Sequence, residues 1–481
     1  MYGCITYINS ESALMKNFLL ALLAGLCAQG ALRAQSILFE KDSLVRVFAK
    51  AQQQNKPVLV LLAPPPPPAN LPAALRAARL KSGLTAPAVA AVLNKDFLTK
   101  ELAFGTAESA AVVRKYTVVR YPTYLYFNSD GSLLFRTAGN TAAESRYLSD
   151  VAAFRKAQAE PQNLSYFQRE YQQGNRAAPF LKQFIGKRRE LGQVVEAELL
   201  DAYVQQLPTK AFAQAAEVVF VLDNGPTLNS TAYQLTRLNG KLNDSLFTFL
   251  PLAQRLAINK GIISNSMALA IATNNRVLAA QVADYARRSW NNNYKRGALA
   301  YESNLLTFYR GTKDTASYLR QAVSFYDRNY MSISADSAKK VVAALRAFRQ
   351  AQQSQPGVVA LAEQSRRNRP GVVRTTEVRP VAFGNSPDSF LLELNNAAWA
   401  IYQTGTRNGQ YLLRAMLWSR RTVDLDPAAY NYDTLAHLLY RLRFFSEAEA
   451  MQQQAVAVAR TEQPGTATYL LELQKMKAHT L

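Results

Sequence analysis

Reactive sulfur is nearly missing from this chain. Its 481 residues hold two cysteines, Cys4 and Cys27, both close to the start. From residue 35 onward there is no thiol, so that part forms no disulfide, offers no thiolate nucleophile and builds no thiolate metal site. Histidine is equally scarce, with only His437 and His479. His437 lies in an apolar helical stretch and reads as a packed helix residue, while His479 is near the terminus. No Ser-His-Asp constellation, HExxH pattern, phosphate-cradling glycine loop or paired-carboxylate motif occurs. The sequence therefore assigns no catalytic residue, no metal ligand and no cofactor. Apolar runs that span a bilayer are also missing beyond the start of the chain.

Acidic residues are in short supply. The 34 Asp and Glu face 56 Lys and Arg, which leaves a net charge of +22. Such a balance attracts polyanions and anionic surfaces. The excess is partly concentrated between Arg310 and Arg379, where 13 basic residues meet five acidic ones. Base-stacking aromatics are not interleaved there, so no specific nucleic-acid partner is expected. Hydrophobic residues make up 49% and charged residues 19%, a composition that folds. A chain of this length splits into two or three domains.

Residues 1–34 read as an upstream extension followed by a signal peptide. From Met15, Lys16 supplies a positive start, the run from Phe18 to Leu26 is apolar, and Ala31-Leu32-Arg33-Ala34 offers a cut after Ala34. Cys27 invites a lipid anchor, but Leu26 before it is not small, so simple cleavage is the preferred reading. Retention as an uncleaved anchor is the alternative. Export to the periplasm or the medium is the expectation, with no membrane span once the signal is cut.

Residues 35–156 alternate helix and strand patterns. Asp42 is placed to cap a helix carrying Leu44, Val45, Phe48 and Ala49 on its apolar face. Val58-Leu59-Val60-Leu61-Leu62 is a continuous apolar run suited to a central strand buried on both faces. Helices are expected over 86–93, 107–116 and 141–156, and strands over 97–102, 123–127 and 132–137. Asn128-Ser129-Asp130-Gly131 reads as a hairpin turn. The result is a mixed α/β layered domain.

Taken together, Asn55-Lys56-Pro57-Val58-Leu59-Val60, 89–97, Lys115-Tyr116-Thr117-Val118, Tyr121-Pro122-Thr123 and Asp130-Gly131 resemble the thioredoxin-like family, over 37–156. The resemblance implies a cis-proline at Pro122 and a peptide groove around Tyr121, Pro122 and Thr123. It also implies a Trp-Cys-x-x-Cys turn after the central strand, and here the sequence departs. The chain reads Ala63-Pro64-Pro65-Pro66-Pro67-Pro68-Ala69-Asn70, with Pro67 and Asn70 at the two cysteine positions. Disulfide exchange requires a thiolate, which neither residue supplies. The proline run favours an extended polyproline form and reads as a stiff loop, or as a ligand for an aromatic groove.

Beyond residue 156 strand signals fade. Residues 157–351 are expected to form a helical domain, with helices over 194–206, 212–222, 252–258, 268–289 and 338–351. Residues 352–388 are rich in Gln, Ser, Arg, Pro and Gly and read as a linker or long loop. Residues 389–481 carry a weak repeat: Asn395 matches Asp433 and Tyr402 matches Tyr440, both 38 positions apart. This resembles tetratricopeptide repeats, which implies stacked helix pairs and a concave groove lined by Asn395, Trp399, Tyr402, Trp418 and Tyr440. The fold expectation is an α/β thioredoxin-like domain followed by a mostly α-helical, tetratricopeptide-like region. The functional expectation is a redox-inactive binding or scaffold protein of the cell envelope with a protein or peptide partner. The alternatives are an enzyme with non-thiol chemistry in the helical region, or a protein that binds an anionic surface.

Overall fold

The computed structural model describes residues 36–65, 81–340, 342–343, 388–462 and 466–481. The signal segment with Cys4 and Cys27, the positions Pro67 and Asn70, and the linker over 352–387 lie outside the described residues. The described residues divide into two compact units. The first holds residues 36–65, 81–175 and 186–194, and the second holds 176–185 and the described residues from 195 on. The first therefore extends past residue 156.

The first unit is built on a four-stranded mixed sheet in the order β2-β1-β3-β4. The strands are β1 (Val58–Leu62), β2 (Leu98–Leu102), β3 (Thr123–Phe127) and β4 (Leu133–Ala138). β1 runs parallel to β2 and antiparallel to β3, and β3 and β4 form a hairpin. All five residues of β1 are buried, as its unbroken apolar run requires of a central strand. Helices cover both faces. α1 (Leu44–Gln54) sets Phe48 edge-on to Phe127 at 5.0 Å. Tyr116, at the end of α3 (Ala107–Lys115), meets the same ring at 5.5 Å. On the opposite face Tyr126 stacks on Phe154 of α4 (Glu144–Ala159) and meets Phe97, at the end of α2 (Pro87–Asp96). The alternation of side chains along β3 thus sends Tyr124 and Tyr126 to one layer and Phe127 to the other.

Arg146 fastens α4 to the β4 edge. It pairs with Asp150 at 2.8 Å, donates to the Gly139 carbonyl at 2.8 Å and lies over the Tyr124 ring. The 3-10 turn Gly83–Thr85 requires its glycine. A Cβ at Gly83 would sit 2.6 Å from the Ala143 backbone. Asp42 does not cap α1, whose cap position is Ser43 without a side-chain bond; Asp42 instead pairs with Arg46 at 3.8 Å.

The second unit is helical. α6 (Ala178–Glu190) starts within it, and α7 (Ala197–Gln205), α8 (Ala215–Asp223), α9 (Thr231–Thr236) and α10 (Gly240–Phe249) follow α5 (Leu164–Gln172) of the first unit. Then come α11 (Leu252–Ala272), α12 (Arg276–Arg288), α13 (Tyr294–Gly311) and α14 (Thr315–Tyr326). A π-turn over Asp327–Met331 continues α14. α15 (Asp388–Gln403), α16 (Gly409–Leu425), α17 (Ala429–Arg441), α18 (Phe445–Glu462) and α19 (Thr466–Lys477) complete the described helices. The helix expected over 268–289 is two helices. Asn274 takes a left-handed φ of 49° and the Asn275 side chain caps α12 by accepting from Leu278 N at 2.9 Å.

Consecutive helices pack on one another from α11 to α14 and again from α15 to α19. The turns recur regularly. Left-handed Asn274 and Lys313 are 39 positions apart, and Gly405 and Arg443 are 38 apart. One core joins α13 and α14 to α15 and α16 through Leu306, Leu319, Phe325, Leu394, Ile401 and Trp418. A second joins α17, α18 and α19 through Leu435, Ala448 and Met476. Among the described residues no helix is long and apolar enough to cross a membrane.

Candidate functional site

Strand register brings three chain segments to one end of the sheet. Leu62 pairs with Leu102 on one side and with Thr123 on the other. Residues 63, 103–104 and 121–122 therefore gather beyond the same sheet end. The Tyr121–Pro122 peptide is cis. The Pro122 carbonyl accepts from Gly139 N at 2.8 Å, and the Thr123 hydroxyl donates to the Arg120 carbonyl. Both Pro122 and Thr123 are buried, so they shape the end of the sheet rather than its surface. Tyr121 is partly exposed and meets Phe104 edge-on at 5.3 Å. Phe104 is 48% exposed and Val119 is 84% exposed. An apolar rim of this kind contributes favourably only when something covers it. Phe104 did not stand out in the sequence, because a single Phe after a strand carries no pattern.

The structure divides the residues expected to line a helical groove. Trp418 is fully buried and its indole N–H donates to Asp327 at 2.8 Å. Asn395 is also buried. Neither lines an open surface, which corrects the groove reading: both sit on the inward faces that helices α15 and α16 turn to their neighbours. Tyr440 belongs to a separate cluster, with Phe445 at 5.0 Å and His479 at 6.5 Å. Trp399 and Tyr402 do come together, stacked at 4.9 Å and both partly exposed. Each meets the buried ring of His437 edge-on, at 5.2 Å and 5.3 Å.

His437 sits in a charged frame that the sequence did not reveal. Its Nδ1 lies 2.8 Å from the Asp433 carbonyl. Its Nε2 faces Glu472 of α19 at 3.4 Å. Burial raises the Asp433 carboxyl, against the lowering pull of His437 and of the Gln452 amide. Burial also pushes Glu472 up, but its hydrogen bond and charge contact with Lys475, together with His437, bring it below the usual range. The Arg441 guanidinium lies 3.7 Å from the Tyr402 ring centre. The two carboxylates address opposite nitrogens of the imidazole, so they do not converge on one point. Among the described residues no group of three or more His, Cys, Asp or Glu is placed to hold a metal ion. The frame ties α17 to α19, and its partner Glu472 is 35 positions away, beyond any local motif.

No family model matches the chain, and no curated protein matches it.

Proposed function

We propose that this chain is an exported, redox-inactive protein with a thioredoxin-like first unit and tetratricopeptide-like helix pairs, working by holding a protein or peptide partner. The observation that carries the reading is the apolar rim of Phe104 and Tyr121 at the sheet end. That end is where the resemblance places a peptide groove. Three further features support it. The strand order and the helices on both faces agree with the family's layering. No cysteine lies among residues 35–481. The turn spacing of 38 and 39 positions agrees with stacked helix pairs.

The test combines insulin-disulfide reduction by the chain from residue 36 with cross-linking of the full chain. Insulin-disulfide reduction is expected to show no turnover, and measurable turnover overturns the redox-inactive reading. Cross-linking in the native envelope is then compared between the wild type and Phe104→Asp, a change at an exposed position. A partner captured by the wild type and lost from the variant supports the rim as the docking site. Equal capture by both removes that role from it.

A further inference from the structure

A cavity of about 640 Å³ opens in the second unit, between α13, α14, the π-turn and the start of α15. That lies within the range of about 300–1,000 Å³ that small-molecule pockets occupy. Its walls are aromatic. Tyr330 stacks on Phe390 at 5.7 Å, and Tyr326 meets Tyr330 at 5.3 Å. Trp290 stands at the other side, with the Arg296 guanidinium over its ring at 5.3 Å.

The rim is cationic. Lys295 and Arg310 line the cavity, and neither forms an ion pair among the described residues. Glu393 is the single acid among the lining residues, and it already accepts the Tyr330 hydroxyl. The Tyr318 and Tyr326 hydroxyls find no protein acceptor among the described residues. Burial raises both phenols above their ordinary range while Arg310 pulls the other way, so both are protonated donors at neutral pH. Unpaired cations and free O–H donors in a cavity with aromatic walls match an oxyanion carried on a flat apolar body. The neighbouring stretch 344–387 does not match them. It carries seven arginines against two glutamates, the same sign as the rim.

We infer that this cavity binds a small organic anion with a planar apolar body, its carboxylate or phosphate held by Lys295 and Arg310. The site is separate from the sheet-end rim, and neither reading depends on the other.

The test is calorimetric titration of the chain from residue 36 with 1-naphthyl phosphate, 1-naphthoate and the neutral 1-naphthalenemethanol. Both anions are expected to bind more tightly than the neutral probe, and their ranking assigns the head group. The double variant Lys295→Gln/Arg310→Gln is expected to weaken the anions about tenfold and to leave the neutral probe unchanged. Thr307→Trp, an exposed wall position, is expected to fill the cavity and abolish binding of both anions. Circular dichroism checks that the variants keep their helices. The inference is overturned if the neutral probe binds as tightly as the anions, if the double variant binds them unchanged, or if no probe binds.

Discussion

Trp418 shows how one side chain settles between two roles. An indole on an amphipathic helix suits a groove wall or a core equally well, and burial decides. Here the ring is fully covered, Tyr326 meets it at 5.2 Å, and its N–H bonds Asp327 at 2.8 Å. Trp418→Phe removes that donor and leaves a carboxylate oxygen of Asp327 short of a partner. The expected loss is about 1–3 kcal/mol of stability. Denaturant unfolding should show a lower midpoint with an unchanged slope, whereas Trp399→Phe, at a partly exposed position without that bond, should shift it less. Other residues were invisible in the sequence for the same reason. His437 was legible as a packed helix residue, but Glu472 and the stacked Trp399 and Tyr402 reach it only through tertiary packing. Lys295 and Arg310 read as ordinary surface charge until the fold sets them over one cavity.

Elements were legible where the local signal and the tertiary demand agree. Val58–Leu62 is a continuous apolar run and becomes the buried central strand. The Asn128–Gly131 turn was legible from its residues, and Gly131 takes a φ of 82°. The turn between α11 and α12 was not, because Thr273-Asn274-Asn275 is short, lacks Gly and Pro, and interrupts an otherwise helical apolar pattern. Its information is conformational. Asn274 tolerates the left-handed region, and the Asn275 side chain satisfies one orphan N–H of α12. Asn275→Ala should therefore cost about 1 kcal/mol. Thermal unfolding followed by circular dichroism checks this, and an unchanged midpoint would show that the cap contributes nothing. Asn275→Asp keeps the acceptor and should stay close to the wild type.

Across the described residues, burial acts most often on phenols. Burial pushes Tyr116 up to about 12. It also raises Tyr124, Tyr126, Tyr203, Tyr285, Tyr326 and Tyr330. The unfolded value is about 10. The folded state thus holds these protons more tightly. The stability this provides is fully present below pH 10 and is lost as the pH rises from there through the folded values. Alkaline titration should accordingly show an early phase from exposed tyrosines and a later phase that coincides with loss of the helical signal. A single phase near pH 10, with the helices intact, would contradict the burial described here.

The contacts that hold the π-turn region to α15 and α16 carry one more consequence. Trp418 bonds Asp327, Arg421 donates to the carbonyls of Met331 and Ile333, and Tyr330 bonds Glu393. The two anchoring points on either side of 344–387 are thereby fixed together, whatever spans them. The π-turn region and the helices α15 and α16 therefore keep their registration through side chains of their own, Trp418, Arg421, Tyr330 and Glu393.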